Sequence, residues 1–152
     1  MKRKTGLLLD VSLGGAPQSN SVCFADLKAD PRRVPWPLPA GCVHTAVVVH
    51  VLEFVEPERI WSWMDELWRV MRPSGVVYLS GPHGGDEAVG WISDPSHRTR
   101  IVEHTFGWFD PRTPIYPLHP TVGRTAPKPW HTVAAARVPG TLGCISYNVT
   151  LQ

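Results

Sequence analysis

The chain has 152 residues, the usual size of one domain, so we expect residues 1–152 to form a single unit. Hydrophobic residues make up 43% of it and charged residues 18%, a balance that excludes a disordered tail. The formal net charge of +2 is too small to indicate a nucleic-acid or membrane partner by itself. The apolar run behind the basic start is interrupted by Asp10 and is too short for a signal segment or a membrane span, so we expect a cytoplasmic protein.

The first third of the chain predicts two short strands and an irregular segment. Gly6–Leu13 is an apolar run that ends at a pair of glycines, which is typical of a buried parallel strand entering a tight turn. Ser21–Asp26 is a second strand candidate. Pro31–Pro39 contains four prolines, each of which favours an extended neighbour, so this segment excludes a helix.

The middle of the chain predicts a strand, a helix and a second strand. Thr45–Leu52 is β-branched and apolar almost throughout, as expected of a central strand covered on both faces. Pro57 stands where a helix-opening proline belongs, and Val76–Ser80 is the next strand. The short connections indicate a βαβ unit with a right-handed crossover in a parallel sheet. Apolar residues recur along the helix at i, i+4, i+7 and i+11, namely Ile60, Met64, Leu67 and Met71.

Two charged residues of this helix, Asp65 and Arg69, are four positions apart and can form a pair. From residue 81 to residue 129 the chain is dominated by loops, with a short helix predicted around Ile101–Trp108. The final residues read as two β segments joined at Pro139 and Gly140, which predicts an antiparallel hairpin at an edge of the sheet.

Several short motifs in this order resemble those of class I S-adenosylmethionine-dependent methyltransferases of the Rossmann-like type. They are Val34-Pro-Trp-Pro-Leu-Pro, Val47-Val-Val-His-Val-Leu-Glu-Phe-Val and Met64-Asp-Glu-Leu-Trp-Arg-Val-Met-Arg-Pro-Ser-Gly. Ser93–His97 and Thr105–Asp110 are similar to motifs of a subset often found in phage and plasmid genomes. The resemblance covers residues 7–110 and is strongest over 34–110. It implies a truncated class I methyltransferase fold, with a mostly parallel α/β sheet and an antiparallel C-terminal edge.

The resemblance implies S-adenosylmethionine as cofactor and assigns roles to residues of the first strand and its turn. Ser12, Gly14 and Ala16 correspond to the turn that passes under the methionine end of the cofactor, where the backbone must approach closely. The family has glycine at all three positions, whereas this chain keeps only Gly14. Because only 15 residues separate Gly14 from Asp30, we expect the first helix of the fold to be missing or reduced to a turn.

The remaining implied cofactor ligands follow the second and third strands. Asp26 is the candidate acceptor for the ribose hydroxyls, and Asp30 is the candidate for the adenine amino group. His50 and Glu53 lie at the carboxyl end of the central strand, where ligands bind in open α/β sheets. Competing interpretations are solvated loop carboxylates for the two aspartates, a structural hydrogen-bonded histidine for His50, and a helix-dipole role for Glu53.

Titratable residues gather in the loops after the last parallel strand, where this fold places its methyl-acceptor pocket. Asp94 and His97 are our candidates for a general base or an acceptor-orienting pair. The alternative is that Asp94 caps a turn and His97 bonds to backbone. The spacing of these residues matches no specific zinc motif, and the three cysteines include no C-x-x-C pair, so we expect no metal.

Two functions follow from the resemblance. The first is methyl transfer from S-adenosylmethionine to an unidentified acceptor, which can be a small molecule, a nucleic acid or a protein. The second is a catalytically inactive methyltransferase-like protein with a binding or assembly role, in a phage for example, and a homo-oligomer or an assembly partner stays open. A small nucleic-acid-binding module is a third interpretation, based only on scattered Trp and Arg residues.

Overall fold

A computed structural model of the chain describes residues 6–13, 21–24, 26–85, 89–116, 127–139 and 145–152. Within these ranges the strands are β1 (Leu7–Ser12), β2 (Val22–Cys23), β3 (Val43–Val49), β4 (Met71–Pro82), β5 (Thr132–Pro139) and β6 (Ile145–Leu151). The helices are α1 (Ile60–Val70) and α2 (Val89–Ile92), with 3₁₀ segments at Leu52–Phe54, Pro57–Arg59 and Glu103–Phe109. None of the helices in the described part of the chain has the length and apolar character that a membrane crossing requires.

The strands form one sheet in the order β2-β1-β3-β4-β6-β5. Strands β1 to β4 pair in parallel, whereas β6 lies between β4 and β5 and is antiparallel to both. The sheet confirms the predicted fold class, a Rossmann-like α/β fold that is mostly parallel and has an antiparallel C-terminal edge. The carboxyl ends of β1, β3 and β4 therefore meet at the same edge of the sheet.

Helix α1 connects β3 to β4 and completes the predicted βαβ unit. Its buried side chains recur with helical spacing, so one stripe of the helix faces the core. The helix is preceded by the 3₁₀ turn at Pro57, and it ends one residue earlier than the apolar pattern suggested, because Met71 pairs with Val43 in the sheet. The buried residues of α1 are Ile60, Trp63, Met64, Glu66, Leu67 and Val70.

The predicted pair between Asp65 and Arg69 is wrong. Arg69 instead bonds Glu66, with its Nη2 2.6 Å from Oε1 and its Nε 2.8 Å from Oε2. Glu66 also accepts the buried backbone N–H of Trp36 at 2.7 Å, so its carboxylate is held in place from two directions. Asp65 accepts the backbone N–H of Lys128 at 3.4 Å. Glu66, which faces the proline-rich segment, therefore pairs with Arg69 in place of Asp65.

The prediction that the central strand is covered on both faces is also wrong. Ala46 and Val48 are buried in the core, whereas Val47 and Val49 on the opposite face are only partly buried. The same alternation continues into β4, where Tyr78 is exposed between two buried neighbours. One face of the sheet thus packs against α1 and the core, and the other face remains partly open.

The second strand, predicted over Ser21–Asp26, is limited to β2, because the carboxylate of Asp26 accepts the N–H of Cys23 and closes a turn. The predicted C-terminal hairpin is confirmed as β5 and β6. The short helix expected near Ile101 is the 3₁₀ segment Glu103–Phe109. The expected loss of the first helix concerns residues that lie mainly outside the described ranges.

Candidate functional site

A cleft of about 770 Å³ lies at the carboxyl ends of the parallel strands. Leu13 follows β1, His50 follows β3 and Pro82 ends β4. The opposite wall comes from Gly90 in α2 and from the loop over residues 93–98. This is the position at which open α/β sheets bind their ligands, and the volume suits a small-molecule site. The cleft is lined by Leu13, Arg32, His50, Phe54, Glu56, Pro82, Gly90, Ser93, Asp94, Ser96, His97, Arg98 and Ser146.

His50 is the predicted cofactor ligand that lines this cleft. Its backbone has a φ of +54°, in the left-handed region that side chains with a Cβ rarely adopt, and its N–H donates to Ser80 at 3.0 Å. The imidazole Nδ1 lies 3.0 Å from Oε1 of Glu53, and 57% of the side chain is exposed. The hydrogen bond with Glu53 raises the pKa of His50, which favours the imidazolium form at the cleft.

Glu53 does not line the cleft but lies beneath it, with its side chain fully buried. The carboxylate holds His50, and the backbone carbonyl accepts the N–H groups of Arg98 at 2.6 Å and Thr99 at 3.2 Å. Burial, together with the Glu53 charge, raises the pKa of Tyr147 well above its usual range. Glu53 therefore connects two walls of the cleft, since one residue fixes both His50 and the 94–99 loop.

Asp94 and His97 both line the cleft, and their local contacts match the turn geometry expected as the alternative. Asp94 Oδ1 accepts the N–H of Ser96 at 2.8 Å and also its hydroxyl, and the hydroxyl bond lowers the pKa of Asp94. His97 Nδ1 lies 2.9 Å from the carbonyl oxygen of Trp91. Because a carbonyl can only accept, Nδ1 carries the proton, and the neutral ring keeps its lone pair on Nε2.

That lone pair lies beside a carboxylate, because His97 Nε2 is 3.6 Å from Asp94 Oδ2. The ring is held edge-on against Phe54, with ring centroids 4.9 Å apart. In this tautomer Nε2 is the ring atom that can accept a hydrogen bond or a proton. The turn contacts leave this atom unused, because they involve Asp94 Oδ1 and His97 Nδ1, whereas Asp94 Oδ2 and His97 Nε2 face each other.

His83, which also follows the last parallel strand, forms a separate, partly buried pair with Glu103. Its Nε2 lies 2.7 Å from Glu103 Oε2, and its Nδ1 accepts the N–H of Gly85 at 3.1 Å. Both ring nitrogens are therefore occupied, and neither His83 nor Glu103 lines the cleft. Among the described residues, no group of three or more His, Cys, Asp or Glu side chains is arranged to hold a metal ion.

The other predicted cofactor ligands lie away from the cleft lining. Ser12 donates its hydroxyl to Asp10, a buried acid within β1. Asp26 is exposed and accepts two bonds from Cys23, which lower its pKa. Asp30 binds Arg32 through both carboxylate oxygens. The two remaining predicted ligands, Gly14 and Ala16, lie outside the described residues.

Among the described residues of the cleft, the sequence analysis missed four charged or aromatic ones: Arg32, Phe54, Glu56 and Arg98. Arg32 belongs to the proline-rich segment, Arg98 directly follows the Ser93–His97 motif, and Glu56 precedes the proline that opens the helix. Phe54 stands where the resembling family has histidine. The detectable signal was its position directly after the central strand, whose carboxyl end is where a ligand site is expected.

No family model matches the chain, and no curated protein matches it in sequence. One similar solved structure is that of a SAM-dependent methyltransferase from Archaeoglobus fulgidus, with 12% sequence identity and a TM-score of 0.47. The alignment covers 75% of this chain and 61% of that one, so this chain spans less than two thirds of the neighbour's length.

Proposed function

We propose that the cleft binds S-adenosylmethionine and that the protein transfers its methyl group to an acceptor. The observation that carries the proposal is the cleft itself, at the carboxyl ends of β1, β3 and β4, with His50 held in a left-handed conformation at the end of the central strand. Backbone strain of this kind concentrates at functional sites. Two of the motifs that resemble class I methyltransferases, the one over residues 47–55 and Ser93–His97, contribute residues to the lining of this cleft.

The residues of the cleft fit the cofactor in size and in chemistry. Phe54 and Pro82 offer apolar surface for an adenine ring, and the carboxylate of Glu56 suits ribose hydroxyls. The imidazolium of His50 suits the methionine carboxylate, and Arg98 lies 3.9 Å from Glu56 and balances its charge. In this proposal Glu53 is not a ligand but orients His50, because its side chain is fully buried.

The bound cofactor would supply a methyl group that its sulfonium already activates, so the protein mainly needs to align the acceptor and remove a proton. We assign the proton removal to His97, whose Nε2 lone pair is fixed by the bond of Nδ1 to the Trp91 carbonyl. Asp94 would stabilise the resulting imidazolium from 3.6 Å. Hydrogen bonds from Ser96 keep Asp94 ionised for this role.

Calorimetric titration with S-adenosylhomocysteine tests the proposal without knowledge of the acceptor. We expect binding to the wild type, and about tenfold weaker binding to His50→Ala, since a charged hydrogen bond to the ligand would be lost. His104→Ala is the matched control, because the His104 side chain is exposed and lies outside the cleft lining. An absence of binding at millimolar ligand, or equal weakening in both variants, would contradict the proposal.

A catalytically inactive, methyltransferase-like binding protein is a second candidate function. It is favoured by the two aspartates predicted to hold the cofactor, because Asp26 closes a turn and Asp30 is engaged by Arg32. This candidate predicts that neither S-adenosylmethionine nor S-adenosylhomocysteine binds at millimolar concentration. The same titration therefore separates the two functions.

A further inference from the structure

A second, smaller groove opens beside the cleft. Its volume is about 170 Å³, and it shares Arg32, Phe54 and Glu56 with the cleft, so the two spaces have a common wall. Most of its lining is polar side chain, and three of its residues are arginines. The groove is lined by Asp30, Arg32, Arg33, Phe54, Val55, Glu56 and Arg59. We call it the arginine groove.

Arg32 is held in a fixed orientation within the arginine groove. Its Nε donates to Asp30 Oδ1 at 2.9 Å and its Nη2 donates to Oδ2 at 2.8 Å, a two-pronged bond that fixes the plane of the guanidinium. The backbone N–H of Arg32 also bonds the same carboxylate, at 2.9 Å. A guanidinium has five N–H donors, so three remain for a ligand.

The other two arginines are open to solvent: Arg33 follows Arg32 directly, and Arg59 comes from a different segment. Arg33 has 80% of its side chain exposed and lies 3.7 Å from Asp30, too far for a hydrogen bond. Arg59, at the start of α1, is also exposed. Against these three positive charges the groove has two carboxylates, and one of them, Asp30, is engaged by Arg32. Glu56, the other carboxylate, lies 3.9 Å from Arg98, outside the groove lining. The residues that line the arginine groove thus carry one net positive charge, and the side chains of Arg33 and Arg59 are exposed.

We propose that the arginine groove binds the phosphate group of the methyl acceptor, and that the acceptor is a small phosphate-bearing molecule. The proposal rests on the proposed function, since it assigns the adjoining cleft to the cofactor. A phosphate ester carries nearly two negative charges and three acceptor oxygens, which suits a groove lined by more than one guanidinium group. A carboxylate, with one charge and two coplanar oxygens, would be satisfied by Arg32 alone. The groove is small, which favours a single phosphate over a chain of them.

The test titrates ribose 5-phosphate, ribose and inorganic phosphate into the full chain at constant ionic strength, with and without saturating S-adenosylhomocysteine. The test variant is Arg33→Gln with Arg59→Gln, since both side chains are exposed and their replacement should not disturb folding. The control is Arg137→Gln, an exposed arginine on β5 at the opposite edge of the sheet. A single-stranded oligonucleotide is titrated into the same proteins as a fourth ligand.

We expect ribose 5-phosphate and inorganic phosphate to bind, ribose not to bind, and the affinity for phosphate to fall at least tenfold in the double variant but not in Arg137→Gln. S-adenosylhomocysteine should bind the double variant within twofold of wild type, and phosphate should bind together with it. Three results would overturn the proposal. They are equal phosphate affinity in all three proteins, competition between phosphate and S-adenosylhomocysteine, and binding of the oligonucleotide without binding of the small phosphates. Phosphate binding without any S-adenosylhomocysteine binding would overturn the proposed function, and with it the acceptor assignment, while leaving an anion site.

Discussion

Replacement of Glu66 should destabilise the fold by an amount that depends on whether the new side chain can still accept a hydrogen bond. Glu66 Oε1 accepts the N–H of Trp36, a residue that is 3% exposed, and a hydrogen bond of this kind to a charged acceptor contributes about 1.5–3 kcal/mol. The ion pair with Arg69 adds at most about 1 kcal/mol, because 37% of the Arg69 side chain is exposed and solvent screens the pair. Glu66→Ala should therefore lower the free energy of unfolding by about 2–4 kcal/mol.

Glu66→Gln is the matched control, because its amide oxygen can still accept the Trp36 N–H while the ion pair is lost. We expect it to lower the free energy of unfolding by about 1 kcal/mol or less. Equilibrium unfolding in urea measures both variants, and the slope of each transition checks that both unfold in the same manner. If the two variants lost equal stability, the bond to Trp36 would contribute nothing, and the reasoning would be refuted.

Three further predictions concern stability. His50→Gly should be about 0.5–1 kcal/mol more stable than His50→Ala, because both lose the imidazole but only alanine keeps the strain at positive φ; equal urea midpoints would argue against that strain. Asp110 accepts hydrogen bonds from the Arg112 side chain and from the backbone N–H of Thr132, and these bonds hold the pKa of Asp110 far below its usual range. The contribution of the ionised carboxylate to the free energy of unfolding is therefore complete above about pH 4 and is lost as the pH falls further. Urea midpoints should therefore fall less steeply between pH 5 and pH 3 in Asp110→Asn than in wild type, and parallel curves would exclude this role. Trp63→Phe should cost about 2–3 kcal/mol, because it removes a buried hydrogen bond to Pro31 and leaves a cavity; a loss below about 0.5 kcal/mol in thermal unfolding would contradict this.

The sheet and its βαβ unit were predictable because their signals are local. The apolar run that becomes β3 and the helical spacing that becomes α1 are both readable within a short window. The covered faces of the sheet were not predictable in the same way. Val47, Val48 and Val49 are the same residue, so nothing in the sequence marks the middle one as buried and its neighbours as partly open.

The partners of charged side chains depended on tertiary contacts. Asp65 and Glu66 are adjacent acids on one helix, and the choice between them was made by the N–H of Trp36, thirty residues away in sequence. The cleft shows the same limit, since Arg32, Glu56 and Arg98 come from three segments that no spacing rule connects. His50 was predictable because the carboxyl end of a central strand is a ligand position in any open α/β sheet.

The most direct test of the central claim is a crystal structure of the protein grown with S-adenosylhomocysteine. We predict density for the ligand in the cleft at the carboxyl ends of β1, β3 and β4, in contact with His50 and Phe54. Density at another surface, or an empty cleft in crystals grown at millimolar ligand, would contradict the account.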